Sequence, residues 1–136
     1  MSKRILVVED QEDLRAILRS FLSTSGYTVI EAADGAEGVA KAAAKRPDLV
    51  LMDIQLPVLD GYDATRQIKA LPGLGTIPII AVSSFAMKGD EEKARASGCD
   101  DYVTKPYSPV DLLRLVRRYM GERHSADVRI VGPVSG

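Results

Sequence analysis

The chain is poor in the residues that build covalent or soft-metal scaffolds. Cys99 is its only cysteine in 136 residues, and His124 its only histidine. A disulfide framework within one chain and a cysteine-rich zinc site are both excluded, and a reducing cytosol is the simplest location. Tryptophan is absent, with two Phe and five Tyr, so the core must be built from Val, Ile, Leu, Ala and Met. No basic excess exists either. The formal net charge is −1 and the pI about 5.8, so a nucleic-acid partner is not expected. Long apolar runs are missing too. The stretch after Met1-Ser2-Lys3-Arg4 has only four apolar residues, Ile5 to Val8. That is too short for a signal-peptide core, and no stretch is long enough to span a membrane. What remains is globular: 46% apolar and 27% charged residues, enough for one domain with a core of its own.

Short apolar runs alternate with helical patterns. Ile5-Leu6-Val7-Val8 ends abruptly in Glu9-Asp10. Leu14, Ile17, Leu18, Phe21 and Leu22 follow at helical spacing, stopped by Gly26. Tyr27-Thr28-Val29-Ile30 has strand character, and Asp34-Gly35 reads as a turn. Val39, Ala40 and Ala43 line a small-residue helix ended by Pro47. Leu49-Val50-Leu51-Met52 ends in Asp53, and a short helix through Ile68 and Leu71 follows the Pro57–Gly61 loop. Ile77-Pro78-Ile79-Ile80-Ala81-Val82 ends in Ser83-Ser84. A charged helix from Gly89 to Ser97 stops at Gly98, and Asp101-Tyr102-Val103-Thr104 is a weak strand ending in Lys105-Pro106. Ser108-Pro109-Val110-Asp111 is an N-cap signature for a last helix carrying Leu112, Leu113, Leu115, Val116 and Tyr119 up to Gly121. Five βα units imply a parallel sheet, right-handed crossovers and helices on both faces. The continuous apolar strands agree, since a parallel sheet is buried on both sides. Residues 122–136 lack helical periodicity and read as a frayed tail.

In open α/β sheets, ligands bind beyond the carboxyl ends of the strands. Here those ends carry Glu9 and Asp10, Asp53, Ser83 and Lys105. Each alone has a bland explanation as a cap, turn or loop residue; their coincidence on one rim is the signal. Crowded carboxylates raise one another's pKa, and a hard divalent cation relieves them. Oxygen-only ligands point to Mg²⁺, with Mn²⁺ possible, rather than Zn²⁺. A cation, the Lys105 ammonium and the Ser83 hydroxyl together suit a transferring phosphoryl group. Asp53 is the candidate nucleophile, because a carboxylate can form an acyl phosphate.

These residues resemble the receiver domains of two-component response regulators. The resemblance rests on Val8-Glu9-Asp10, on Leu51-Met52-Asp53-Ile54-Gln55-Leu56-Pro57 with Asp60-Gly61, on Ala81-Val82-Ser83-Ser84 and on Tyr102-Val103-Thr104-Lys105-Pro106. It covers residues 3 to about 120. The run from Phe85 to Glu92 looks most like single-domain regulators of the DivK type. The resemblance implies a doubly wound (βα)5 flavodoxin-like fold with strand order 2-1-3-4-5, a receiver domain over residues 1–121 and a flexible tail over 122–136. It implies that Asp53 takes a phosphoryl group from a phosphohistidine on a sensor histidine kinase or histidine phosphotransfer protein. Asp10, Asp53 and the Gln55 backbone carbonyl would ligate Mg²⁺, with Glu9 holding ion-bound water. Lys105 would pair with phosphoryl oxygens, Ser83 would bond to them on arrival, and Tyr102 would turn inward. A cis bond before Pro106 belongs to the same pattern. Ser83 stands where Thr is commoner, and the lost methyl loosens its rotamer.

Three functions compete. A phosphorylation-driven switch of protein contacts comes first, with an unnamed downstream protein and no DNA-binding domain after residue 121. A phosphate shuttle or sink in a multi-step relay uses the same site. A turnover phosphatase with an aspartyl nucleophile would need a second Asp two residues on, where Gln55 stands. The protein is therefore read as a phosphoacceptor that promotes its own Mg²⁺-dependent phosphorylation and dephosphorylation, cytoplasmic, and a monomer or weak homodimer. Phe85 is expected to shield the phosphoryl group from water. Cys99 reads as a small buried hydrophobe, and Lys88, Lys93 and Arg95 as a solvated face.

Overall fold

Successive side chains of a strand point to opposite faces, so an unbroken apolar run needs cover on both sides. The structure, a computed structural model, describes residues 3–83 and 89–121 and shows that cover. Five strands, β1 (Arg4–Val8), β2 (Thr28–Ala32), β3 (Leu49–Asp53), β4 (Ile79–Ser83) and β5 (Asp101–Thr104), form one parallel sheet in the order β2-β1-β3-β4-β5. Five helices alternate with them: α1 (Glu12–Thr24), α2 (Gly35–Lys45), α3 (Gly61–Lys69), α4 (Asp90–Ser97) and α5 (Pro109–Tyr119). Ile5, Val7, Leu49 and Leu51 face one way, onto Leu18 and Leu22 of α1 and Leu112 and Val116 of α5. Leu6, Val8, Val50 and Met52 face the other way, onto Ala42 of α2, Ala64 and Ile68 of α3 and Ala94 of α4. The alternation of apolar side chains along β1 and β3 thus divides the core into two layers. The expected class and strand order are the observed ones.

The differences lie at element ends. Asp34-Gly35 is the start of α2, not a free turn. Asp34 accepts from the Glu37 N–H at 2.8 Å, while the Glu37 carboxylate accepts from the Ala33 N–H at 2.7 Å. The pair is like a capping box, except that the glutamate reaches one residue further back, to the N–H before the N-cap. Helix α2 ends without a glycine: Arg46 itself takes the left-handed conformation, φ 51°. Two hydrogen bonds hold it there, from its guanidinium to the Pro72 carbonyl (2.6 Å) and from Arg4 to its own carbonyl (2.9 Å). Leu71 lies past the end of α3. Tyr27 and Ile77 are buried but precede their strands, and β4 starts only after Pro78, which has no N–H to give. The Pro78 carbonyl still accepts from Val50. At α5 the N-cap expectation holds, with Ser108 accepting from the Asp111 N–H. The expectations placed on Phe85, on Lys88 and on residues 122–136 lie outside the described residues, as do Ser84 and His124.

The segment between β3 and α3 carries the site's most demanding backbone. Val58 has φ 71°, with the Leu59 N–H bonded back to the Pro57 carbonyl at 2.7 Å. This is the rare γ-turn, strained for a β-branched residue, and it lies five residues beyond Asp53. Gly61 closes the segment, its N–H donating to the Ile54 carbonyl at 3.1 Å.

Candidate functional site

Parallel pairing aligns the carboxyl ends of the strands. Asp53 stands opposite Val82, and Ser83 opposite Thr104. The Glu9 N–H continues the β1–β2 ladder to the Ala32 carbonyl, and the Lys105 N–H bonds to the Ser83 carbonyl. Glu9, Asp53, Ser83 and Lys105 therefore share one rim, as the sequence predicts. Glu9 and Asp53 are 3% and 4% exposed, and Ser83 1%. Asp10 is exposed beside them. Carboxylate oxygens of Glu9, Asp10 and Asp53 all lie within 4.8 Å of one another.

Lys105 Nζ reaches into this cluster, 3.0 Å from Glu9 Oε1 and 3.5 Å from Asp53 Oδ2. The bond between Lys105 and Pro106 is cis. Glu9 is a buried acid and not a solvated one. Its Oε2 accepts from the Gln11 N–H at 3.0 Å, and its carbonyl accepts from Arg15 at 2.8 Å. Arg15 also pairs with Glu31 of β2 at 3.0 Å. This brace on Glu9 had no sequence signal, because Arg15 and Glu31 meet only once β1 and β2 pair. Asp53 Oδ1 accepts from the Gln55 N–H at 3.0 Å, and the Gln55 side-chain amide donates to Ser83 Oγ at 3.1 Å.

One ammonium does not balance three carboxylates. Burial and the Glu9 charge together outweigh Lys105 and push the Asp53 carboxyl up to about 7. The cluster with Lys105 carries two uncompensated negative charges when ionised, the charge a divalent cation cancels. Its donors are all oxygens, so the residues fit Mg²⁺.

The raised Asp53 value fixes a pH dependence. An Asp whose native value lies above its unfolded one near 4 takes up a proton on folding. That contribution is complete below pH 4 and is lost as pH rises through 7. Asp53→Asn should therefore match the wild type in acid without Mg²⁺ and exceed it at pH 8. The gain expected there is about 2 kcal/mol once solvent at the rim is allowed for. Urea unfolding at pH 4.5 and pH 8 checks it; a wild type that is the more stable at pH 8 would contradict the charge balance.

Tyr102 does not join the acid cluster. It lies on β5 opposite Ala81, half-buried against the core layer of α2, α3 and α4. Tyr107, which the sequence did not single out, lies two residues beyond Lys105 and packs on the opposite layer. Its hydroxyl oxygen is buried with no hydrogen-bond partner among the described residues. Burial, with the charges of Glu9 and Asp53, pushes it up to about 12. An unsatisfied buried hydroxyl costs free energy, so Tyr107→Phe should stabilise the protein by about 1 kcal/mol. A loss on denaturant unfolding would show that the hydroxyl has a partner. Cys99 is buried as expected, its Sγ 3.6 Å from Thr65 Oγ1. Arg95 is less simply solvated than expected, pairing with Glu91 at 3.0 Å. Among the described residues no helix is long and apolar enough to cross a membrane.

The chain is similar to known proteins in sequence and in fold. The family model of the response regulator receiver domain matches residues 5–117. The polar-differentiation response regulator DivK of Brucella anthropi is 42% identical over 122 residues, covering 90% of this chain and 99% of that protein. DivK of Brucella ovis is 41% identical with the same coverage. Among solved structures, the receiver domain of a Pseudomonas aeruginosa sensor histidine kinase superposes with a TM-score of 0.83. It is 39% identical, covers 90% of this chain and 100% of its own, and holds a magnesium ion in its active-site cleft. The chemotaxis protein CheY4 of Vibrio cholerae gives a TM-score of 0.83 at 27% identity, covering 88% and 99%. With its strand order, its acid rim and these matches, the chain belongs to the response regulator receiver domains of two-component systems, and within them resembles DivK.

Proposed function

We propose that this receiver is a phosphorylation-driven switch in which Asp53 accepts a phosphoryl group from a phosphohistidine on a sensor histidine kinase or histidine phosphotransfer protein. The observation that carries the reading is the buried pair of carboxylates, Glu9 and Asp53, with the exposed Asp10 carboxylate beside them and a single ammonium among the three, which leaves two negative charges over. The Asp10 and Asp53 carboxylates and the Gln55 backbone carbonyl would hold Mg²⁺, with Glu9 on an ion-bound water. The ion supplies charge stabilisation for the transferring phosphoryl group. An Asp53 carboxylate oxygen forms the new bond to phosphorus. The phosphorus–nitrogen bond to histidine breaks, and its electron pair stays on the imidazole. Lys105 is placed to meet the developing charge on the phosphoryl oxygens. Ser83, at the next strand end, would bond to them afterwards, with Tyr102 following.

Phosphorylation adds about 1.5 to 2 negative charges at neutral pH. Only a difference in how the two states meet that charge can shift the equilibrium between them. A phosphate shuttle or sink in a multi-step relay would use the same site. Exposed large apolar side chains among the described residues are Ile17, Val58 and Val110, which lie on α1, in the β3–α3 segment and on α5. They lie on three different elements, which suits a monomer or weak homodimer.

The test is incubation with a small acyl phosphate and Mg²⁺ followed by intact mass. The wild type should gain one phosphoryl group and Asp53→Asn none, and chelating the metal should abolish the gain. Equal labelling of both proteins would overturn the assignment of Asp53. Onward transfer of the label to a second histidine phosphotransfer protein, with partner affinity unchanged by phosphorylation, would favour the shuttle.

A further inference from the structure

The hydrogen bond from the Gln55 amide to Ser83 Oγ is not used by the reading above, although it joins two of its residues. Gln55 is exposed and Ser83 is buried at 1% exposure. The amide reaches from the end of β3 to the end of β4, alongside Asp53. At its other end the Gln55 backbone is fixed, because its N–H is bonded to Asp53 Oδ1 at 3.0 Å. A serine hydroxyl has three staggered positions of similar energy and no second substituent on Cβ to choose among them. The expectation that Ser83 is rotationally loose, for want of a threonine methyl, is therefore met by a restraint from outside the residue.

We propose that the Gln55 side chain is a positioning residue that latches the Ser83 hydroxyl in the unphosphorylated protein, and that Ser83 gives up this bond when it turns to an arriving phosphoryl group. The inference rests on Asp53 being the phosphoacceptor and deepens that reading. The latch acts on the resting state alone, because the bond exists there and is exchanged afterwards. By linkage, whatever the amide contributes to the resting state is subtracted from the affinity for the phosphoryl group. Removing the amide should raise that affinity, whereas removing a group that contacts the phosphoryl directly would lower it. One hydrogen bond of ordinary net strength corresponds to about a 2- to 12-fold change.

The experiment uses the full chain with Mg²⁺ and beryllium trifluoride, an acyl-phosphate mimic, titrated by NMR. Gln55→Met keeps the length of the side chain and loses its donor. The expected result is about 2- to 12-fold tighter binding in the Ser83 background and no change when Gln55→Met is made on top of Ser83→Ala. Weaker or unchanged binding, or the same gain in both backgrounds, would overturn the latch. A second measurement does not depend on phosphoryl chemistry. The Ser83 χ1 couplings of the unliganded protein should report a different rotamer distribution in Gln55→Met than in the wild type. Identical couplings would overturn the latch by themselves. A wild type that fails to bind the mimic while its couplings change on substitution would fell the phosphoacceptor reading and leave the Gln55–Ser83 restraint standing.

Discussion

Replacing Lys105 with Met is expected to destabilise the protein by about 3 kcal/mol at pH 8.5, with the loss shrinking toward pH 5.5. The ammonium lies 3.0 Å from one buried carboxylate and 3.5 Å from another. Taking away one partner of a buried charge cluster leaves the others without compensation, which costs about 3–5 kcal/mol. The lower end applies here because Asp53 has a second way out, protonation, already poised at about 7 with Lys105 present. Without the ammonium, native Asp53 moves further above its unfolded value. Stability is then retained in acid and lost as pH rises through the native value. Chemical unfolding of Lys105→Met across this range should show a steeper fall than the wild type. Mg²⁺ should recover part of the loss, because a divalent ion held by Asp10 and Asp53 beside Glu9 would replace the missing charge. A variant as stable as wild type at pH 8.5 in the absence of Mg²⁺ would show that Lys105 does not compensate these acids.

Gly61→Ala should cost about 3 kcal/mol and weaken Mg²⁺ binding together with it. A Cβ on Gly61 would fall on the Asp53 carbonyl oxygen and within 2.7 Å of Ile54 Cα. Both obstacles are backbone atoms, so no side-chain rotation relieves them, and overpacking of this kind costs about 1–3 kcal/mol or more. Relief requires Asp53 and Ile54 to move as a unit, and they carry the acid and the Gln55 N–H with them. The contrast is Gly26→Ala, where φ is +102° and the added Cβ has open space around it. That substitution should cost only backbone strain, about 1 kcal/mol, and leave metal affinity unchanged. Calorimetric Mg²⁺ titration beside urea unfolding separates the two effects. Unaltered affinity in Gly61→Ala would mean the close approach does not set the position of Asp53.

How far the site could be read from the chain depended on which residues terminate strands. Glu9, Asp53, Ser83 and Lys105 are legible because each ends an apolar run, and parallel strands bring their carboxyl ends to one rim whatever the details of packing. Gln55 was legible only as the residue two past the acid, through its backbone carbonyl and its lack of a carboxyl. Its amide meets Ser83, 28 positions away, through the pairing of β3 with β4. The brace from Arg15 to the Glu9 carbonyl needed β1 and β2 side by side. The Tyr107 hydroxyl is buried by the closing of α1 and α5 over one face of the sheet, which no local pattern announces. The end of α3 was read too late, since Leu71 lies past it; α2 stops before Pro47 as expected, on an Arg46 that accepts a left-handed backbone because Pro72 and Arg4, both distant in sequence, bind it there.

The amino-acid sequence by itself determined the alternation of strands and helices, the parallel sheet and the identity of the acids on its rim. Those follow from periodicity and strand termini, which are local. Only the tertiary structure decided the charge state of Asp53, the engagement of Glu9 with Lys105 and the coupling of Gln55 to Ser83. Those depend on burial and on distances of about 3 Å between residues from different strands, and both the loss of water and the approach of charges exist only once the sheet has assembled.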